Sequence, residues 1–123
     1  MERKNKNNRA TGQQYEQIAL EYLFKNNYRI LETNYVCRFG EVDIIARDGS
    51  YIVFVEVKYR RNRMSGFGFE AVDIRKQKKL SMCMHYFIME KKIHNMNYRF
   101  DVISIDAHDI RHYTDAFSIC FGG

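Results

Sequence analysis

Asp43 in "GEVDIIARDG" and Glu56 with Lys58 in "YIVFVEVKYR" are the residues whose types and spacing point to chemistry. Along a strand side chains alternate, so Phe54, Glu56, Lys58 and Arg60 share one face while Val53, Val55, Val57 and Tyr59 share the other. The Asp48-Gly49 dipeptide between two β-rich runs predicts an antiparallel hairpin. A two-residue loop at Asp48-Gly49 would set Asp43 opposite Phe54 and Glu41 opposite Glu56, whereas a four-residue loop would set Asp43 opposite Glu56. Either register leaves Glu41, Asp43, Glu56 and Lys58 on one face, with opposed or diagonal partners roughly 4.5 to 8 Å apart. That is close enough for Asp43 and Glu56 to share a cation. Facing like charges destabilise a sheet and burial raises a carboxyl pKa, a penalty that a divalent metal reverses. Carboxylates plus waters suit Mg²⁺, which keeps much of its hydration and accepts oxygens from a substrate phosphate. Lys58 would then hold a scissile phosphate, orient an attacking water and offset developing negative charge.

The tripeptide E-x-K alone is weak, since Glu2-Arg3-Lys4 and Glu90-Lys91-Lys92 also match it. Only Glu56-Val57-Lys58 lies in an apolar β pattern, follows a hairpin turn and has an aspartate at the right parity on the partner strand. An ordinary cross-strand charge network involving Asp43 and Arg60 accounts for Glu56 and Lys58 equally well. Glu16 is most simply a helix-edge residue paired with a lysine; its alternative role is a third carboxylate reaching the metal through water. Glu41 either binds metal through water or caps the loop beginning at Gly40.

The elements that must position these residues follow from periodicity. Tyr15, Ile18, Ala19, Tyr22 and Leu23 recur at helical spacing, which predicts an amphipathic helix from Gly12 to about Lys25 with Thr11 as N-cap. "YRILETNY" is expected as a strand and the hairpin follows. Leu80, Cys83, Met84, Phe87 and Ile88 mark a second helix from Ala71 or Asp73 to about Lys92. "YRFDVISID" is a further strand carrying Arg99 and Asp101, expected as structural residues, and "IRHYTDAF" supplies a short last one. The order α-β-β-β-α-β predicts an α/β sandwich in which helices flank a mixed central sheet. With 123 residues, the chain suits a single domain over residues 12–123 after a flexible basic segment at residues 1–11.

A formal charge of +5 favours a polyanionic partner. Basic residues cluster at the amino terminus, at Lys58, Arg60, Arg61 and Arg63, and at Arg75, Lys76, Lys78 and Lys79, whereas residues 101–123 hold four aspartates and one arginine. Cys37, Cys83 and Cys120 lack a C-x-x-C spacing and are expected as reduced structural thiols in a cytoplasmic protein. His108 and His112 lack the neighbours of a zinc set and are expected at the surface. No apolar run is long enough to span a bilayer, so no membrane partner is expected.

The blocks "GQQYEQIALEYL", "GEVDIIARDGSYIVFVEVKYR" and "RFDVISID", in this order, resemble the YraN-like family of small bacterial proteins. That family is similar to the PD-(D/E)xK nuclease superfamily, which includes type II restriction enzymes and archaeal Holliday-junction resolvases. The resemblance runs from Gly12 to Phe117 and implies a restriction-endonuclease-like αβββαβ core. It implies Mg²⁺- or Mn²⁺-dependent endonuclease activity that hydrolyses phosphodiester bonds in DNA, branched or structured DNA included, and leaves a 5′-phosphate. Carried over by residue, Asp43 and Glu56 bind metal, the Val57 carbonyl completes the inner sphere, Lys58 serves the phosphate and water, and Glu16 assists. Val42 replaces the motif's proline, which shapes backbone and binds no metal. Arg60, Arg61, Arg63, Lys76, Lys78 and the amino-terminal basic residues would contact flanking phosphates without reading sequence. The resolvase-like branch further implies a homodimer, since two strands must be cut. The rival expectation is a non-catalytic nucleic-acid-binding module or an adaptor in a repair, recombination or uptake assembly.

Overall fold

The computed structural model describes residues 2–59, 73–107 and 109–119, with side chains from Gly12 onward. Helix α1 (Glu2–Lys25) precedes strands β1 (Arg29–Cys37), β2 (Gly40–Asp48) and β3 (Tyr51–Tyr59). Helix α2 (Ile74–Lys91) and strands β4 (Asn97–Ile105) and β5 (Ile110–Phe117) follow. The five strands form one sheet in sequential order. Only the β3–β4 pair is parallel, because α2 carries the chain back along the sheet between them. The expected α/β core with its mixed sheet is therefore present, extended by β5.

The sheet is covered on both faces. Ala19 and Leu23 of α1 pack with Ile44, Ala46, Val53, Val55, Ile103 and Ile105 on one side. Leu80, Cys83, Met84 and Phe87 of α2 pack with Val42, Ile45, Ile52, Phe54, Phe100 and Val102 on the other. Burial on both faces explains why β3 reads as an almost unbroken apolar run until Glu56.

Two local expectations change and a third is settled. Helix α1 begins at Glu2, upstream of Gly12, so Thr11 lies inside the helix and does not cap it. The hairpin turn is Gly49-Ser50, with Asp48 already paired to Tyr51. Gly49 has φ +58°, which puts the glycine at the first turn position, where a left-handed conformation matches strand twist. Of the two starts expected for α2, the helix takes Asp73, whose carboxylate accepts from the Lys76 N–H at 2.9 Å, the bond of an N-cap.

Candidate active site

The β2–β3 ladder runs from Asp48–Tyr51 to Ile44–Val55. This is the register expected for Asp43 opposite Glu56, but the regular pairing ends one step short of that pair. β2 stays paired with β1 down to Gly40, and β3 stays paired with β4 up to Tyr59. The sheet therefore forks between β2 and β3, and the carboxylate of Asp43 enters the gap to accept from the Val57 N–H at 2.8 Å. Because a strand residue turns its N–H and C=O to the same side, the Val57 carbonyl is directed toward the fork as well.

Strict alternation along β2, on which the placing of Glu41 and Asp43 on one face with Glu56 and Lys58 relied, does not hold at this point. Val42 and Ile45 both pack against the α2 side, whereas Ile44 packs against the α1 side. The cause lies on β1. Thr33 pairs with Ile44 and Tyr35 with Val42, so Asn34 sits beside Asp43. Asn34 has φ +50°, a left-handed conformation that asparagine tolerates better than most residues. Its Nδ2 donates to Glu16 Oε1 at 2.7 Å, which draws α1 to the fork.

Glu56 arrives from β3 and is almost fully buried, at 4% exposure. Its Oε1 lies 2.6 Å from Lys76 Nζ and 3.4 Å from Lys58 Nζ. Its Oε2 is buried with no hydrogen-bond partner, the one such side-chain atom among the described residues. A buried carboxylate oxygen left unsatisfied costs free energy unless a ligand satisfies it.

The charges respond accordingly. Burial, reinforced by the charge of Glu56, pushes Asp43 up to about 7, against the Val57 N–H and Lys76, which act in the opposite direction. Burial also raises Glu16, with Glu41 adding to it and Asn34 opposing. Burial alone would lower Lys76, but the hydrogen bond and charge of Glu56 outweigh it and hold the ammonium above its ordinary pKa. Among the described residues no group of three or more His, Cys, Asp or Glu side chains is spaced to hold a metal. The fork offers instead two carboxylates, one with an unsatisfied oxygen, and a nearby main-chain carbonyl. This donor set fits a hard, largely hydrated cation.

Two clefts flank the fork. The α2-side cleft, about 390 Å³, is lined by Gly40, Glu41, Asp73, Arg75, Lys76, Lys79 and Leu80. The α1-side cleft, about 420 Å³, is lined by Gly12, Gln13, Tyr15, Glu16, Asn34, Glu41, Asp43, Val57 and Tyr59. Glu41 is exposed and lines both.

Lys76, expected as a flanking phosphate contact, belongs to the centre of the site, and this is the residue whose role sequence reasoning misplaced. Its spacing to Leu80, Cys83 and Phe87 put it on the inward stripe of α2 and could have shown this. Lys78 is exposed and does not line the cleft. Arg60, Arg61 and Arg63 lie outside the described residues, as do Cys120 and His108.

A second charged network runs from Asp48 at the hairpin end of the sheet to Asp101 in the middle of β4. Asp101, fully buried, accepts from Arg99 Nε at 3.0 Å and the Asp115 N–H at 3.0 Å, and lies 2.7 Å from His112 Nε2. Arg99 also bonds Asp48 at 3.0 Å and Tyr28 at 2.8 Å, and His112 Nδ1 meets the Tyr22 hydroxyl at 3.2 Å. His112 is thus no free surface histidine; β5 returns beside β4 and turns it inward. Cys37 and Cys83 are free thiols with sulfurs 3.1 Å apart, and burial pushes Cys83 up to about 12.

The profile of the uncharacterised protein family UPF0102 matches residues 15–105, which span the fork, both helices' packing stripes and β4. The chain belongs to the UPF0102 family. A UPF0102 protein of Fusobacterium nucleatum is 46% identical over 98 residues, covering 80% of this chain and 82% of its own. One from Syntrophus aciditrophicus is 44% identical over 119 residues, covering 94% of each chain. One from Caldicellulosiruptor saccharolyticus is 46% identical over 99 residues, covering 80% of this chain and 84% of its own. No helix among the described residues of this UPF0102 protein is long and apolar enough to cross a membrane.

Proposed function

We propose that this UPF0102 protein is a metal-dependent nuclease of PD-(D/E)xK type that hydrolyses phosphodiester bonds in DNA. The observation that carries this reading is the buried, unpartnered Oε2 of Glu56 at a fork that also holds the Asp43 carboxylate. A site evolved only for packing or binding has no use for an unsatisfied buried carboxylate oxygen beside a second acid.

Asp43, Glu56 and the Val57 carbonyl would hold the metal, Mg²⁺ or Mn²⁺. When bound, it supplies Lewis-acid polarisation of a phosphoryl oxygen and lowers the pKa of a coordinated water. Lys58, 23% exposed and 3.4 Å from Glu56 Oε1, is placed to turn toward the scissile phosphate and the attacking water. Lys76 anchors Glu56 and neutralises its charge. Arg75 and Lys79, on the wall of the α2-side cleft, are placed for adjacent phosphates. Glu16, held by Asn34, assists from the α1 side through water. Cutting two strands of a branched substrate would require two such sites in a homodimer.

Cleavage of linear, flapped, forked and four-way DNA and of RNA, with Mg²⁺ or Mn²⁺, tests this directly. Glu56→Ala and Lys58→Ala should each lower the rate by about 10²- to 10³-fold. Cleavage that survives both substitutions would reject this site. Salt-sensitive binding without cleavage would favour the non-catalytic binding module.

A further inference from the structure

Building on the nuclease reading above, we infer that the α1-side cleft receives an unpaired base, so that the strand cut at the fork is single-stranded or splayed at the scissile phosphate. The two clefts that meet at the fork differ in chemistry. The α2-side wall sets three cations, Arg75, Lys76 and Lys79, against two carboxylates, Glu41 and Asp73, whereas the described lining of the α1-side cleft contains no lysine or arginine and three carboxylates, Glu16, Glu41 and Asp43. Even with a metal on Asp43, a phosphate deeper in the α1-side cleft would face Glu16 and Glu41 with no lysine or arginine in the described lining to offset them. A nucleobase is neutral and carries what that cleft can use, a π face and a hydrogen-bonding edge.

The ring platform is already assembled. Tyr15 and Tyr59 stack with centroids 4.0 Å apart and planes 17° from parallel. Tyr15 is partly buried against the α1-side core, which fixes the inner ring, while Tyr59 is 40% exposed. Base–aromatic stacking is tolerant of sequence because every base has a π face. Asn34 and Glu16, hydrogen-bonded at 2.7 Å beside the stack, present amide and carboxylate groups to a base edge. Alternation at the end of β3 sends Lys58 to the Glu56 side and Tyr59 to the Tyr15 side. A strand crossing the fork therefore leaves its phosphate with the lysines and its base with the tyrosines. A base stacked between neighbours in a continuous duplex cannot make that turn without being extruded.

The test uses the full chain carrying Glu56→Ala, so that binding is read without cutting. Fluorescence anisotropy with a single-stranded oligonucleotide, a flapped duplex and a blunt duplex should show that Tyr59→Leu weakens the first two by about 5- to 150-fold. Blunt-duplex binding should be unchanged, and Tyr59→Phe should behave as Tyr59. A 2-aminopurine in the single strand should be quenched on binding wherever residue 59 is aromatic. Equal loss on all three substrates, or no quenching with Tyr59 intact, overturns the inference; the quenching needs no variant at 59, so a poorly folded Tyr59→Leu cannot obscure it. Wild-type cleavage of the same substrates separates the two claims. Quenching without cleavage removes the nuclease and leaves the base cleft, whereas Glu56-dependent cleavage indifferent to Tyr59→Leu removes the base cleft and leaves the nuclease.

Discussion

Two charged networks each hold an aspartate beside cations, and the two aspartates behave in opposite ways. Asp101 has three partners, from Arg99, His112 and the Asp115 backbone. Although burial acts to raise it, those partners hold its carboxyl below the ordinary range. Asp43 has one backbone donor and faces Glu56, and burial pushes it up to about 7. A saturated network locks β4 to β5 and to Tyr28 beyond α1; an unsaturated one is held at a cost by the surrounding fold and keeps capacity for a ligand. Arg99 and Asp101 thus satisfy one another, while Glu56 keeps an unpartnered oxygen near Asp43.

Breaking the saturated network should have the largest effect on stability. Asp101→Ala strands Arg99 and His112 in a buried setting and should lower unfolding free energy by roughly 3 to 5 kcal/mol in urea titrations. A loss below about 1 kcal/mol would mean that the two networks are alike. Asp43→Asn should do the reverse, since the amide oxygen can still accept from Val57 while the repulsion with Glu56 disappears. At pH 8 the variant should be more stable, by up to about 4 kcal/mol if the full elevation of Asp43 is expressed.

The pH dependence sharpens the same contrast. Asp43 in the native state keeps its proton to about 7, whereas the unfolded chain releases it near the ordinary carboxyl value. The native state thus holds more protons in between, so this contribution is full at low pH and is lost as pH rises toward and through about 7. Asp101, lowered in the fold, contributes above its unfolded pKa and loses that contribution as pH falls through its native value. Thermal melts of Asp43→Asn and wild type should therefore converge toward pH 4 and separate above pH 7. Calorimetric Mg²⁺ titration should release close to one proton at pH 6 and almost none at pH 8.5, because the metal competes with the proton on Asp43. Proton release that is unchanged in Asp43→Asn would place the metal elsewhere.

The smallest expected change comes from Lys76→Met. Lys76 is 42% exposed, which screens the pair, but Glu56 is buried and keeps only Lys58 at 3.4 Å, so the stability loss should be about 1 to 2 kcal/mol. Because Lys76 helps to keep Asp43 ionised, the proton-release midpoint of the Mg²⁺ titration should nevertheless move upward.

Much of the fork was legible from periodicity. The β3 run with Glu56 and Lys58 interrupting its valines, the aspartate fourteen positions before Val57 and the α2 stripe all reflect local patterns that repeat every two or 3.6 residues. The role of Lys76 was hidden because it depends on where Asp73 starts α2, and its inward stripe was overshadowed by the neighbouring cations. His112 was hidden because only the return of β5 beside β4 brings it to Asp101. The two-residue turn could be read in either of two frames, and Gly49-Ser50 was settled by cross-strand pairing.

Sequence by itself determined the element order, the two amphipathic helices, the hairpin and the identity of Asp43, Glu56 and Lys58 as neighbours, because side-chain spacing and turn chemistry act within a few residues. Tertiary structure alone decided that β2 and β3 part before that pair meets. Asn34 in a left-handed conformation, the parallel seat of β4 beside β3, and α2 laid across the sheet each act from nine or more positions away. They break the alternation at Asp43, bring Lys76 onto Glu56 and leave one buried oxygen without a partner.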